Sequence, residues 1–150
     1  PFIYAGEEVM RDKKGVHNSF ESPDSINAID WNRKTTHEDV FAYYKRLISI
    51  RKAHPAFGMG DAEMVRKHLE FLPVDGGNLV AFRLKDRANG DTWDNIIVAL
   101  NARSVPAKLA IPEGKYTVVC RDGVIDERGL GSLYGPEVTV PAQSALIIHQ

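Results

Sequence analysis

A single cysteine, Cys120, is the one thiol of this sequence, so no disulfide can form within the chain. The paired-cysteine framework of small secreted domains is absent, and stability must come from packing. Neither sign of charge is in excess: 19 basic and 20 acidic side chains give a formal net charge of -1. Nucleic acid and anionic membrane surfaces are bound by basic faces, so neither is an expected partner. No apolar run approaches the roughly 20 residues that cross a bilayer. A secretory leader is missing too. Yet the chain opens on Pro1 rather than methionine, so its natural start is expected upstream and the missing leader carries no weight. There is no internal repeat and no low-complexity tract.

Motifs for chemistry are equally scarce. His17, His37, His54, His68 and His149 include no pair at the i, i+4 spacing of a helical zinc site. They read as solvated or hydrogen-bonded histidines, and no metal ligand is assigned. A G-x-S-x-G elbow is absent, and Cys120 lies in an apolar stretch where a thiol is an inert core residue. Gly129-Leu130-Gly131 lacks the Lys-Ser/Thr and helix start of a phosphate loop.

What is present is 43% apolar and 26% charged over 150 residues, enough for one domain or one small domain with an appendage. Residues 1–4 are apolar and run into Ala5-Gly6-Glu7-Glu8, the pattern of a buried strand in a parallel sheet. No repeated strand–helix units follow to flank such a strand, so the chain is expected to be a piece of a larger fold. Residues 9–36 are polar and loop-like, longer than an idle loop in a compact domain. Thr35 and Glu38 fit a capping box, and Val40, Tyr44, Leu47 and Ile48 then share one helical face. His54-Pro55 should end that helix, and Asp61 should cap a short one to about residue 69. Beyond residue 71 the pattern turns to β. Strands are expected at 79–84, 96–100, 107–111, 116–120, 138–140 and 145–149. Asn89-Gly90 and Pro112-Glu113-Gly114 are turns between them. Short strands at such spacing argue for an antiparallel sandwich.

Glu7, Glu8, Asp24 and Asp30 lie at the end of the apolar run or in the polar loop. Glycoside hydrolysis needs two carboxylates flanking the bond, but sequence alone does not say whether two of these face each other. The plainer reading is that they are cap, turn and surface acids. Tyr4, Phe20 and Trp31 could form a sugar-stacking platform; for Trp31, packing at the helix start is preferred.

The words of the sequence add a resemblance. Pro1-Phe2-Ile3-Tyr4-Ala5-Gly6-Glu7-Glu8 resembles the eighth barrel strand of the α-amylase superfamily, glycoside hydrolase family thirteen. Lys14-Gly15-Val16-His17-Asn18-Ser19-Phe20, Ser22-Pro23-Asp24-Ser25-Ile26-Asn27 and Ile29-Asp30-Trp31 are similar to the following loop of type I pullulanases. Tyr43-Tyr44-Lys45-Arg46-Leu47-Ile48 and Arg51-Lys52-Ala53-His54-Pro55-Ala56-Phe57 resemble their last barrel helix. Pro141-Ala142-Gln143-Ser144-Ala145-Leu146-Ile147-Ile148 resembles the last strand of their C-terminal sandwich.

The resemblance implies a mainly β fold: an antiparallel β-sandwich C-terminal domain, residues 61–150, preceded by a (β/α)8-barrel remnant, residues 1–60, containing one long α-helix. It implies the C-terminal part of a retaining α-1,6-glucosidase acting on pullulan or on starch and glycogen branch points. The family's catalytic carboxylates precede the matching segment, so no catalytic residue is carried over. Asn18, Asp24 and Asn27 match polar positions of the substrate-side loop and are expected to bind glucan. No cofactor is implied for this segment; any calcium requirement of the longer enzyme lies outside it. Export or cell-surface placement is compatible with the longer enzyme, and the sequence does not decide it. Self-association through the helix face of Val40, Tyr44 and Leu47 is expected where no barrel covers it. Two other readings of the sandwich stand, a glucan-binding module and a purely structural shield. For the longer enzyme, an isoamylase-type debranching enzyme or an α-amylase is the alternative.

Overall fold

The computed structural model describes residues 2–150. It divides into two compact units, residues 1–46 and 47–150, whose boundary falls inside the longest helix.

The first unit holds a 3-10 turn at Glu7–Val9, two single-turn helices, α1 (Asp24–Asn27) and α2 (Arg33–Thr36), and the start of α3 (Glu38–Ala53). The strand expected at residues 1–4 does not form. Pro1 lies outside the described residues, and residues 2–4 are irregular and exposed, with Phe2 89% accessible. A buried strand needs a ladder on each side, whereas every strand among the described residues lies beyond residue 68 and pairs within that region.

The helix also begins differently from the capping-box reading. Thr35 sits inside α2, its N–H donating to Asn32 O at 3.0 Å. His37 leaves the helical region at φ -122°, and α3 restarts from it, with Phe41 N–H donating to His37 O at 3.1 Å. At its other end α3 stops at Ala53, where the residue before Pro55 turns extended. Val40, Tyr44 and Leu47 are half-buried and Ile50 is buried.

The second unit adds a 3-10 turn, Pro55–Gly58, and helix α4 (Ala62–His68). Asp61 caps α4 as expected, accepting from the backbone N–H groups of Glu63 and Met64 at 2.6 and 3.1 Å. Nine strands follow: β1 (Leu69–Phe71), β2 (Leu79–Leu84), β3 (Ile96–Asn101), β4 (Ala107–Ala110), β5 (Lys115–Arg121), β6 (Val124–Ile125), β7 (Ser132–Tyr134), β8 (Glu137–Val140) and β9 (Ser144–His149). All six expected strands are present. Asn89 and Gly90 do take positive φ, 55° and 76°, but inside a broader 85–95 connection rather than a two-residue turn. The larger sheet runs β1-β2-β3-β9-β5-β6, with β7 also on β5; β4 and β8 form a second, two-stranded sheet. Every pairing is antiparallel.

Alternation in the strands builds the core between these sheets. Ala81, Ile97, Ala99, Tyr116, Val118, Leu146 and Ile148 from the larger sheet cluster with Leu109, Val138 and Val140 from the smaller one. Full burial of each large aliphatic stabilises by about 1.5–3 kcal/mol. Tyr116 brings a hydroxyl into that core and satisfies it on Pro112 O at 3.1 Å. Cys120 is buried, in keeping with a core thiol.

One buried carboxylate joins distant parts of this unit. Asp91, 3% exposed, accepts from His54 Nδ1 at 2.9 Å, Trp93 N–H at 2.9 Å and Ala56 N–H at 3.1 Å. Burial alone pushes its carboxyl up, but the hydrogen bonds from His54, Trp93 and Ala56 outweigh it and hold Asp91 below the usual aspartate range. A lowered folded-state value contributes stability above the unfolded value, lost as pH falls through the folded one. Asp91→Ala leaves two backbone N–H groups and an imidazole unpaired; we expect it to cost about 3 kcal/mol in urea unfolding at neutral pH. Asp94→Ala, at a site 55% exposed on its side chain, should change stability by less than about 0.5 kcal/mol.

Candidate functional site

The polar loop of the first unit has little regular structure, so its backbone carbonyls need donors from elsewhere. Two arginines supply them, and a lysine ties side chains together beside them. Arg11 donates to Ala5 O at 3.2 Å and to Asn27 O, and lies 5.4 Å from the Tyr4 ring centroid. Arg33 donates to Val9 O at 3.2 Å and to Met10 O. Lys13 reaches Asn27 Oδ1 at 2.6 Å and Ser19 Oγ at 2.9 Å. Gly6 makes the entry turn possible: its φ is 98°, and a Cβ there would stand 2.7 Å from Arg11 Cβ.

Asn27 is the hub of this framework. Its Nδ2 donates to Ser19 O and Ser22 O, both at 2.7 Å, while its Oδ1 accepts from Lys13. The amide is therefore turned into the loop. Asp24, the first residue of α1, lines a cavity of about 360 Å³ with Arg11, Asp12, Lys14, Asp30 and Arg33. Asn18 is exposed and is not among the residues lining that cavity. Of the three residues expected to bind sugar, one thus borders the cavity, one braces the loop behind it and one stands apart.

Of the four acids noted in the sequence, Asp24 and Asp30 share this cavity. Glu8 is committed to the entry turn through Gly6 N–H at 3.1 Å, and Asp30 also holds Asn32 N–H and Nδ2, each at 3.0 Å. Three acids and three cations line the cavity together, a lining that suits hydroxyl groups, which both donate and accept. No group of three or more metal-ligating side chains occurs among the described residues. Trp31, expected to pack at the helix start, is instead 63% exposed. Backbone turns over 30–37 and Arg33 hold that segment, so the indole is not needed as an anchor. Sequence reasoning missed Arg11, Asp12, Lys14 and Arg33. The available signal was a set of cations inside a loop whose carbonyls have no ladder to join.

The β unit offers a different arrangement. Trp93 is stacked on both faces: the His54 ring lies 3.4 Å away at 22°, and the His149 ring 3.9 Å away at 8°. A sugar stacks on a free aromatic face, and this indole has none. Burial pushes the His149 ring below the usual histidine value.

A family model described as the all-beta domain of pullulanase matches residues 65–124. A pullulanase from Bacillus subtilis is 42% identical over 121 residues, 80% of this chain and 17% of that protein. An isoamylase from a Flavobacterium is 28% identical, over 75% of this chain and 17% of the isoamylase. Among solved structures, a pullulanase from Bacillus acidopullulyticus superposes with a TM-score of 0.92 at 44% identity, covering 97% of this chain and 18% of that one. The type I pullulanase of Bacillus subtilis in complex with maltose superposes at 0.91 with 37% identity, over 99% of this chain and 21% of that one. The chain thus spans about a fifth of the length of the proteins it matches.

The hub role of Asn27 is open to proteolysis. Asn27→Ala removes three hydrogen bonds and should speed tryptic cleavage at Lys13 and Lys14 by about tenfold, the effect of roughly 1.4 kcal/mol in local opening. Asn18→Ala, at an exposed position, should leave the rate within about twofold.

Proposed function

Since this chain is homologous to pullulanases and its residues 65–124 match the all-beta domain of that family, we propose that it is the non-catalytic C-terminal part of a debranching glycoside hydrolase. The longer enzyme would cleave α-1,6-glucosidic linkages in pullulan and at starch or glycogen branch points by a retaining mechanism. Residues 1–60 are then the end of the catalytic barrel with its substrate-side loop, and residues 61–150 the C-terminal sandwich. The observation that carries this reading is the 44% identity over 97% of the chain with a solved pullulanase. The isoamylase reading is kept as second because that relative matches a similar share of the chain at lower identity.

Within this reading, Asp24 and Asn18 hydrogen-bond glucan hydroxyl groups, and Asn27 holds the loop in the shape that presents Asp24. The maltose complex of the Bacillus subtilis relative supports α-glucan as the ligand class. The sandwich acts as a structural shield: with both faces of Trp93 covered by histidine rings, its one tryptophan is not a sugar platform. The half-buried helix face of Val40, Tyr44 and Leu47 is where a separate chain self-associates.

In the full-length enzyme, Asp24→Ala should raise KM for pullulan about tenfold, the worth of one to two hydrogen bonds, with a smaller change in kcat. Unchanged KM removes Asp24 from the substrate site; activity on amylose alone removes the α-1,6 reading. For the isolated chain, sedimentation equilibrium should show a dimer that Leu47→Lys dissociates, and a monomer throughout the concentration range removes self-association.

A further inference from the structure

His54 is 4% exposed, and only one of its two ring nitrogens is satisfied. Nδ1 meets Asp91 at 2.9 Å, while Nε2 is buried with no hydrogen-bond partner. The nearest acceptor is Glu127 Oε1, 3.6 Å away and just beyond hydrogen-bond reach; its side chain is 44% exposed. In the neutral ring the proton belongs on Nδ1, facing the Asp91 carboxylate, so Nε2 presents a lone pair to a second carboxylate. Two acceptors then face each other, which accounts for the open distance. A proton taken from solvent onto Nε2 turns that nitrogen into a donor and the contact into an ion pair.

We propose that His54 and Glu127 form a proton-operated latch, in which proton uptake at Nε2 draws the Glu127 carboxylate inward and fastens the 126–129 turn to the end of helix α3. The turn is built for a small closing movement. Its ends are tied to β5, Asp126 N–H on Val119 O at 3.0 Å and Leu130 N–H on Val118 O at 2.6 Å, so only the tip has to shift. The charged groups that face the ring favour the added proton. Asp91 lies on one edge, Glu127 on the other, and the Trp93 π-face covers one side. His149 lies across Trp93 and would oppose a second cation, but its burial disfavours its own charged form, which weakens that opposition. The ion pair exists only when both ring nitrogens carry protons, so its contribution belongs to acid pH and is absent where the ring is neutral.

Glu127→Gln tests this on the whole chain, because the half-exposed site keeps its shape and loses only its charge. The expected result is a Tm about 1–3 °C below that of the parent at about pH 5, and parity between the two at about pH 8. The variant's amide can donate to the neutral ring, so at the higher pH it should be at least as stable as the parent. Amide exchange at Arg128, corrected for intrinsic rate, should slow on acidification in the parent and not in the variant. An equal Tm loss at both pH values, or no loss at the lower one, overturns the latch.

Discussion

A buried carboxylate with no partner is costly enough to reshape its surroundings, and Asp91 is the point around which the β unit is organised. It draws its donors from its own connection and from a stretch about 35 residues earlier. His54 comes from the end of helix α3, Ala56 from the following 3-10 turn, and Trp93 from the connection between β2 and β3. With these fixed, Trp93 is set between two imidazole rings, one of them from the last strand. The chain's middle and its end are thereby joined by one acid and one indole. The connection of residues 85–95 is long for a hairpin because it has to deliver both.

The two units solve opposite problems. The β unit satisfies its backbone with ladders and buries aliphatic side chains between two sheets of unequal size. Asn101 closes the gap where a sheet ends, donating to Val105 O at 3.0 Å and Pro141 O at 2.9 Å. The first unit has no strand ladder among the described residues and few buried side chains, so two arginines and one amide hold its carbonyls instead. Such a framework is specific in shape but leaves its outer acids open to solvent. That is the combination a sugar-facing loop requires, since rigidity lowers the ordering cost of binding while polar groups remain available.

Strand positions were legible because short apolar runs bounded by turn residues were local signals; the runs at 79–84, 96–101 and 144–149 all carry them. The two- and three-residue strands β6 and β7 were not, because their neighbours are glycine-rich and their pairing depends on β5. Residues 2–4 carry an apolar signal that is real as composition, yet a strand also needs partners, and these residues have none in the ladders described. In the candidate site, Asp24 was legible from its place in the resemblance, and its cationic companions were not. Arg11 and Arg33 act on backbone carbonyls, which no side-chain motif encodes. The Asp91 cluster was hidden for a similar reason: His54, Asp91, Trp93 and His149 are brought together only by the closed sheet.

The placement of the two tryptophans has a practical consequence. Trp31 is 63% exposed in the first unit, whereas Trp93 is enclosed between two rings in the second. Each unit therefore contains its own natural fluorophore, and the two differ in solvent contact and in what can quench them. Emission from this chain is a two-channel signal, in which iodide-accessible light reports on the loop and shielded light on the sheets. Whether the units melt together or one after the other can be read from the unlabelled protein.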